Sequence, residues 1–322
     1  MFARRRATAP SYHATDLSRA SLRVAARQFA ASGVKLIRAA SARLGSRSGD
    51  CRRYVLLNTM PKSGSVYVTK SLARILRLGT MHIGNNYALI EQINVREATI
   101  FSGGGFVSQN HLAPSPENLQ ILRRFNLKMV LHLRDPRQAL LSWVHHLDWT
   151  IGGNELSENL LYVAPQTPPG YFALPLARKI DWQIENFLPQ LMAWTEKWVD
   201  IADRGTIPVL ITHQDDLRCR EKAFFDAILR FYEFDLDYDL PRLPRTIETT
   251  HFRLADPTEW RRTFTPEQAA RATAQIPQVF RARFGWDDRL TVSTDAVERS
   301  IKMRRAVWRW RGSRTDRAQL AE

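Results

Sequence analysis

Cysteine is scarce in this chain, which has only Cys51 and Cys219 among its 322 residues. So few cysteines cannot supply a disulfide framework, which fits a protein of a reducing compartment. The sequence also lacks an apolar run near the roughly 18 residues that a membrane-spanning helix needs. No repeat appears at the periods typical of solenoid proteins. At 44% hydrophobic content, the chain can bury the core of one large domain.

Acidic residues are also few, and the formal net charge is +15. Residues 1–50 contain nine Arg and one Lys against two Asp, and the chain is basic again after Arg299. Basic ends are typical of proteins that bind nucleic acid or an anionic membrane surface, whereas a basic core suits a ligand with several negative charges. We predict a basic N-terminal extension over 1–50, a core domain over 51–290 and a basic tail over 291–322.

The N-terminal extension contains an amphipathic pattern over residues 17–44 that predicts a helix. It is rich in Arg and Ser and poor in acidic residues, as organelle transit peptides are. The alternatives are a helix that packs on the core and an incorrectly assigned start codon. We predict a cytoplasmic protein, with organelle targeting through residues 1–50 as the alternative.

Strands and helices alternate through the core, which predicts an α/β fold. We expect a single three-layer domain with a mainly parallel central sheet and helices on both faces. Residues 148–178, rich in Gly and Pro, predict a surface insertion with little regular structure. Thr265 and Gln268 predict a capping box at the last core helix. The predicted strands are 54–58, 106–108, 128–133 and 208–212, and the main helices are 65–78, 116–125, 136–147, 179–203 with an interruption near Pro189, and 221–232.

The first strand leads through the loop Pro61–Ser65 directly into a helix. Such a loop presents unpaired backbone N–H groups at the positive end of the helix dipole, which favours phosphate or sulfate. Lys62 adds a cation, and the two serines of the loop add hydroxyl donors. In nucleotide triphosphatases the Lys follows the second Gly of a longer loop, whereas Lys62 precedes Gly64. The loop therefore predicts an anion site of another kind, with a ligand-free tight turn as the alternative.

Further motifs follow other predicted elements. Arg134 ends a strand, Asp135 is placed to cap the next helix, and Ser142 lies two turns further on. A cation and a hydroxyl in this arrangement can grip one phosphate together. His111 follows a short strand, and Arg253 precedes Trp260 near the end of the core.

In this order, the motifs over roughly residues 52–285 resemble those of the sulfotransferases that use 3′-phosphoadenosine 5′-phosphosulfate (PAPS). Residues 61–67 resemble the 5′-phosphosulfate loop, and Arg134 with Ser142 resembles the 3′-phosphate motif. His111 occupies the position of the catalytic His. The resemblance implies a P-loop-like fold, PAPS as donor and no metal. The cofactor-binding residues that it implies are Lys62, Ser63, Gly64, Ser65, Val66, Tyr67, Arg134, Ser142 and Arg253.

Several residues depart from the family pattern, which indicates a divergent member. Tyr67 replaces a Trp, which weakens the expected stacking on adenine. Leu254 and Ala255 replace Lys and Gly, which thins the expected 3′-phosphate clamp. Gln109 lies where many cytosolic members have a second Lys.

Sulfuryl transfer moves an SO₃ group between two oxygens roughly in line, so catalysis should depend on positioning, charge stabilisation and removal of the acceptor proton. We predict that Lys62 neutralises the leaving phosphate and that His111 is the general base. Their structural alternatives are a Lys in a surface turn and a hydrogen-bonding His at a strand end. His145 and His146 are the next candidates and could line the acceptor site.

The acceptor is predicted to be a small or medium molecule that receives the sulfuryl group on a hydroxyl rather than an amine. An aromatic-rich middle region favours an apolar or aromatic acceptor pocket, although the spacing of Trp194 and Trp198 favours core packing. Trp260 is expected to anchor a loop or to pack on the adenine side of the site. We expect neither a nucleic-acid partner nor a metal site, because no compact ligand spacing accompanies the His residues. The sequence leaves open whether the basic ends contact a membrane surface. It also leaves open the oligomeric state.

Two other function classes compete with this prediction. A kinase could use the same loop, but it should place Mg²⁺-binding carboxylates at strand ends, and Asp135 reads as a helix cap. A non-enzymatic protein that binds nucleic acid or a membrane surface is supported by charge alone.

Overall fold

The computed structural model describes residues 53–85, 88–151, 167–241 and 256–287. The predicted N-terminal helix, the C-terminal tail and Arg253 lie outside these ranges. The chain divides into two compact units, Met1–Gln275 and Ile276–Glu322. None of the described helices is long and apolar enough to cross a bilayer. The sheet and the candidate site belong to the first unit.

A parallel five-stranded sheet forms the centre of the first unit, with the strand order β2-β5-β1-β6-β7. The predicted mainly parallel α/β fold is therefore confirmed. Two short antiparallel strands, β3 and β4, form a separate ribbon. The strands are β1 (Tyr54–Thr59), β2 (Gly79–Met81), β3 (Gly84–Asn85), β4 (Gln92–Ile93), β5 (Phe106–Asn110), β6 (Met129–Leu133) and β7 (Val209–His213).

Helices cover the sheet. Three consecutive residues of β1, Val55, Leu56 and Leu57, are fully buried, and since successive side chains of a strand point to opposite faces, both faces must be covered. The described helices of this unit are α1 (Ser65–Ile75), α2 (Val95–Ser102), α3 (Pro116–Arg124), α4 (Pro136–Ile151), α5 (Leu176–Asp203), α6 (Gln214–Cys219), α7 (Glu221–Phe231), α8 (Glu259–Thr263) and α9 (Pro266–Ala274), with a 3₁₀ turn at Tyr171–Ala173. In the second unit, α10 (Gln278–Phe284) ends at Gly285, whose φ is 63°.

Helix α5 is continuous, so the predicted interruption near Pro189 is wrong. A proline removes one backbone hydrogen bond from a helix interior. Here Leu188 and Leu191 on either side are fully buried, and this packing holds the helix together around the proline. Regular structure also extends into both ends of the predicted 148–178 insertion, because α4 reaches Ile151 and α5 begins at Leu176.

A buried ion pair joins α4 to the helices that follow it in the last part of the first unit. Asp135 caps α4 by accepting the N–H of Arg137 at 2.9 Å, and its two oxygens accept from Nε and Nη2 of the same residue at 3.1 and 3.0 Å. The Arg137 guanidinium lies 4.1 Å from the Trp260 ring centre and donates to Thr273 on α9. Asp135 is thus a helix cap, as predicted, and Trp260 is the expected buried anchor.

We predict that Arg137→Met destabilises the protein by about 3–5 kcal/mol, because it leaves the buried Asp135 carboxylate without its partner. The measurement is the free energy of unfolding in urea. The control is Arg204→Met, which breaks an exposed ion pair with Asp200 on α5 and should cost less than about 1 kcal/mol. Equal small losses in the two variants would contradict the structural role given to Arg137.

Candidate functional site

The carboxyl ends of four parallel strands meet at one edge of the sheet. There β1 leads to the loop beginning at Pro61, β5 to His111, β6 to Arg134 and β7 to Gln214. Open parallel sheets bind ligands at this edge, since the loops after the strands converge there. The topology therefore brings together the loop, the candidate base and the strand-end cation, which are far apart in sequence.

The loop between β1 and α1 has the backbone of an anion cradle. Gly64 has φ 86° and occupies the N-cap of α1, where no side-chain cap bond is formed within the described residues. A Cβ at Gly64 would make only ordinary contacts with Gln214 and Leu217, so the conformation rather than the space requires glycine. Lys62 also lies in the left-handed region, with φ 65°. The N-terminus of α1 therefore keeps its backbone donors for a ligand.

The side chains of the loop suit an anion as well. Ser63 is fully buried, and within the described part of the chain its hydroxyl has no hydrogen-bond partner. Such a hydroxyl is costly unless it finds an acceptor, and a phosphate or sulfate oxygen would provide one. Ser65 is buried and Val66 half-buried in the first turn of α1. This donor set fits the phosphosulfate group that the sequence predicts.

His132, which sequence analysis missed, holds the loop in place through a hydrogen bond to its backbone. It lies opposite Thr59 of β1 in the sheet and is fully buried. Its Nε2 donates to the Ser63 carbonyl at 3.0 Å, so Nδ1 must accept from the Thr212 hydroxyl at 3.0 Å. Burial lowers the pKa of His132 to about 4, so the ring is neutral near pH 7. A single neutral imidazole therefore ties the loop to β6 and β7.

Arg134 also contacts the loop. Its Nη1 donates to the Lys62 carbonyl at 2.5 Å, and the residue is largely buried. Ser142 lies two turns along α4 and is half-buried. The hydrogen bond links Arg134 to the loop between β1 and α1, whereas its joint grip with Ser142 on a 3′-phosphate stays a prediction.

His111 lies at the end of β5 with its tautomer determined by a backbone contact. Its Nδ1 is 2.6 Å from the Thr59 carbonyl oxygen, which can only accept, so Nδ1 carries the proton and Nε2 the lone pair. Burial, and to a smaller extent the charges of His82 and Lys62, lower the pKa of His111 to about 4. The ring is therefore neutral near pH 7, and Lys62 is close enough to influence it.

Buried side chains hold the backbone on either side of this imidazole. The N–H of His111 donates to Glu91 Oε2 at 2.7 Å, and the N–H of Leu112 donates to Asn58 Oδ1 at 2.8 Å. The Leu112 carbonyl accepts from the indole N–H groups of both Trp194 and Trp198, at 2.7 and 2.8 Å. The two tryptophans are buried, as their spacing predicts, and they also position the candidate base.

Glu91 is a second residue that sequence analysis missed. It is almost fully buried, and burial raises the pKa of its carboxyl to about 7, although the bond from His111 opposes the rise. Its Oε1 lies 3.6 Å from Nε2 of the half-exposed His82. Gly84 makes room for it, because a Cβ there would lie 2.8 Å from Glu91 Oε2. A carboxylate between short strands carries no sequence signal, because only the fold brings it to His111.

Other predicted residues have different surroundings. The Tyr67 hydroxyl donates to Glu221 on α7 and its ring packs against the core, so adenine stacking stays a prediction. Trp143 is stacked on Phe187, with ring centres 5.1 Å apart and planes 8° from parallel. His146 lies beside Trp143 at 5.5 Å. These contacts place Trp143 in the packing of α4 against α5.

Comparisons with known proteins add a distant likeness. No family model matches the chain, and no curated protein matches its sequence. Among solved structures, the chain is similar to mouse sulfotransferase SULT7A1 complexed with PAP. The identity is 13% and the TM-score 0.45, over 70% of this chain and 84% of that one. A likeness this distant does not assign a function to the chain.

The buried His132 predicts a specific pH dependence of stability. Its pKa is about 4 in the folded protein against an ordinary 6.5, so the unfolded chain binds an extra proton between these values. The resulting stability is therefore present above pH 6.5 and is lost as the pH falls to 4, by an amount on the order of 3 kcal/mol. His111 acts in the same direction, and Glu91, whose pKa is raised, in the opposite one.

We expect His132→Gln to show a shallower loss of unfolding free energy between pH 6.5 and 4 than the wild type, measured by urea titration at each pH. The control is Thr212→Val, which removes the hydroxyl partner but keeps the titrating ring. It should lower stability at pH 7 and retain the acid slope. An unchanged slope in His132→Gln would show that this ring is not held neutral.

Proposed function

We propose that the protein is a sulfotransferase that moves a sulfuryl group from PAPS to a hydroxyl of a small or medium acceptor. The observation that carries the proposal is the combination at one sheet edge of an anion-binding loop with a neutral imidazole. Lys62 and the uncapped N-terminus of α1 provide the positive side of the site, and His111 provides the proton acceptor. Sulfuryl transfer needs these two functions side by side.

On the donor side, residues Lys62–Tyr67 would hold the 5′-phosphosulfate. Arg134 and Ser142, with Arg253, would hold the 3′-phosphate that distinguishes PAPS from ordinary nucleotides. PAPS supplies the sulfuryl group, and the Lys62 ammonium neutralises charge on the phosphate that leaves. His132 and Arg134 donate hydrogen bonds to carbonyl groups of the loop, at Ser63 and Lys62. The donors of the loop are therefore held in place before the ligand arrives.

On the acceptor side, the His111 lone pair receives the hydroxyl proton. A bond forms between the acceptor oxygen and sulfur while the bond from sulfur to the PAP phosphate oxygen breaks, and the proton goes to Nε2. Because the pKa of His111 is only about 4, the ring is a weak base in its resting state. It therefore takes the proton most readily once the acceptor oxygen has begun to bond to sulfur and has become acidic.

The cofactor assignment predicts selectivity for the 3′-phosphate. PAP should raise the melting temperature more than ATP or adenosine 5′-phosphosulfate does, with no Mg²⁺ present. Arg134→Ala should weaken PAP by roughly one to two decades, because it removes a charge-assisted contact of about 1.5–3 kcal/mol. The control is Arg123→Ala on the exposed side of α3, which should leave PAP affinity unchanged. Equal shifts with ATP and PAP would favour a kinase instead.

The base assignment predicts a separation of binding from chemistry. His111→Ala should bind PAP almost normally and lose about two to four decades in kcat, the usual contribution of a positioned general base. Lys62→Ala should weaken both PAPS binding and turnover, because its charge acts on the donor. Wild-type turnover in a folded His111→Ala protein would assign the base elsewhere, with His145 and His146 as the next residues to replace.

A further inference from the structure

The Nε2 lone pair of His111 already has a donor in the structure. The side-chain amide of Gln109, two residues earlier on β5, lies with its Nε2 3.2 Å from Nε2 of the imidazole. The sequence marks Gln109 only as a departure from the family pattern. The contact lies on the atom that receives the acceptor proton in the proposed reaction, so Gln109 bears directly on the chemistry.

The direction of this hydrogen bond follows from the chemistry of the partners. Nδ1 of His111 lies 2.6 Å from the Thr59 carbonyl oxygen and must be protonated. In the neutral ring, Nε2 is then an acceptor, so the amide must present its NH₂ rather than its oxygen. A flipped amide would place its oxygen against the lone pair. The imidazole tautomer and the amide orientation are therefore determined together.

We propose that Gln109 is a positioning residue that caps the proton-accepting nitrogen of His111, and that an acceptor hydroxyl must displace its amide before sulfuryl transfer. This inference rests on the proposed function, because it assigns a step to the same base. The acceptor hydroxyl replaces the Gln109 NH₂ as the hydrogen-bond donor to His111 Nε2. The lone pair therefore has a partner before and after the displacement. Protonation of His111 by solvent is disfavoured while the amide is in place.

The surroundings of Gln109 allow this exchange. Its amide nitrogen also lies 3.3 Å from the Thr59 hydroxyl oxygen, which gives the NH₂ an acceptor after it leaves His111. Its backbone carbonyl accepts from Nδ1 of His82 at 2.8 Å, so the main chain stays in place while the side chain moves. The side chain is half-buried, whereas its neighbours Ser108 and Asn110 are fully buried.

Gln109 affects the pKa of His111 in a different way from the charged and titratable groups around the ring. Lys62 on the loop and His82, which follows β2, act on the ring through their charges, and Glu91 accepts from the backbone N–H of His111. The positive charge of Lys62, and that of His82 when it is protonated, disfavours the imidazolium. The Gln109 amide disfavours it in the orientation favoured by its contact with the Thr59 hydroxyl oxygen, because a protonated Nε2 would then face the NH₂ donor. Removing the amide should therefore raise the pKa of His111 without any change of charge.

The test is an NMR titration of ¹⁵N-labelled histidine in the full chain between pH 4.5 and 8, with and without PAP. The His111 signals are assigned by their loss in His111→Gln. In the wild type we expect a protonated Nδ1 and a hydrogen-bonded Nε2 that is unprotonated above about pH 5.5 and begins to titrate only toward pH 4.5, because the pKa of His111 is about 4. In Gln109→Ala the Nε2 shift should move toward that of a free acceptor, and the pKa should rise by about one unit. The matched control is Gln190→Ala on the exposed surface of α5, which should leave the His111 signals unchanged.

A second variant keeps the test decisive if Gln109→Ala folds poorly. Gln109→Glu replaces the NH₂ with a carboxylate oxygen that accepts from a protonated Nε2, so the His111 pKa should rise further than in the alanine variant. The acid limb of the rate profile should shift with the NMR pKa in both variants. Unchanged Nε2 shift and pKa in the two variants would overturn the proposal.

The outcome also separates this inference from the proposed function. If the NMR changes appear as expected but no transfer from PAPS is found, the Gln109–His111 contact stands and the sulfotransferase assignment fails. If transfer occurs while the Nε2 signal is the same with and without the amide, the assignment stands and the role of Gln109 is wrong.

Discussion

The hydrogen bond from His111 Nδ1 to the Thr59 carbonyl is the interaction on which the candidate site depends. It determines which imidazole nitrogen holds the lone pair, and it joins the end of β5 to the end of β1 just before the loop that begins at Pro61. A different tautomer would leave two acceptors facing each other at 2.6 Å and would remove the proton-accepting nitrogen from the site. The distance between base and loop is thus set by two adjacent parallel strands rather than by mobile side chains.

The rest of the site supports this contact from buried positions. Glu91 and the pair of tryptophans hold the backbone at His111 and Leu112, and His132 holds the loop at Ser63. Burying a carboxyl and two neutral imidazoles costs stability unless each finds partners, and the pKa values of all three show the effect of this burial. The arrangement gives donors and acceptors held in place before any ligand binds, which is what charge stabilisation in catalysis requires.

The alternation of strands and helices was sufficient to predict the mainly parallel sheet. The strand–loop–helix unit, the Asp135 cap and the capping box at Thr265 could be predicted because each depends on neighbouring residues. The roles of His132 and Glu91 could not be predicted in the same way. His132 lies within an apolar strand, and its partner Thr212 is far away in sequence. The continuity of α5 through Pro189 was missed for a related reason, because tertiary packing outweighs a local helix breaker.

Transfer of the sulfuryl group is the central claim, and one measurement tests it most directly. The full chain is incubated without Mg²⁺ with PAPS labelled in the sulfuryl group and a mixture of small phenols and alcohols, and the label is followed by chromatography. We expect labelled sulfate esters in amounts equal to the PAP released, and a loss of both in His111→Ala. The claim of sulfuryl transfer would be contradicted if all the label stayed on PAPS with every such acceptor and the protein bound ATP as tightly as PAP.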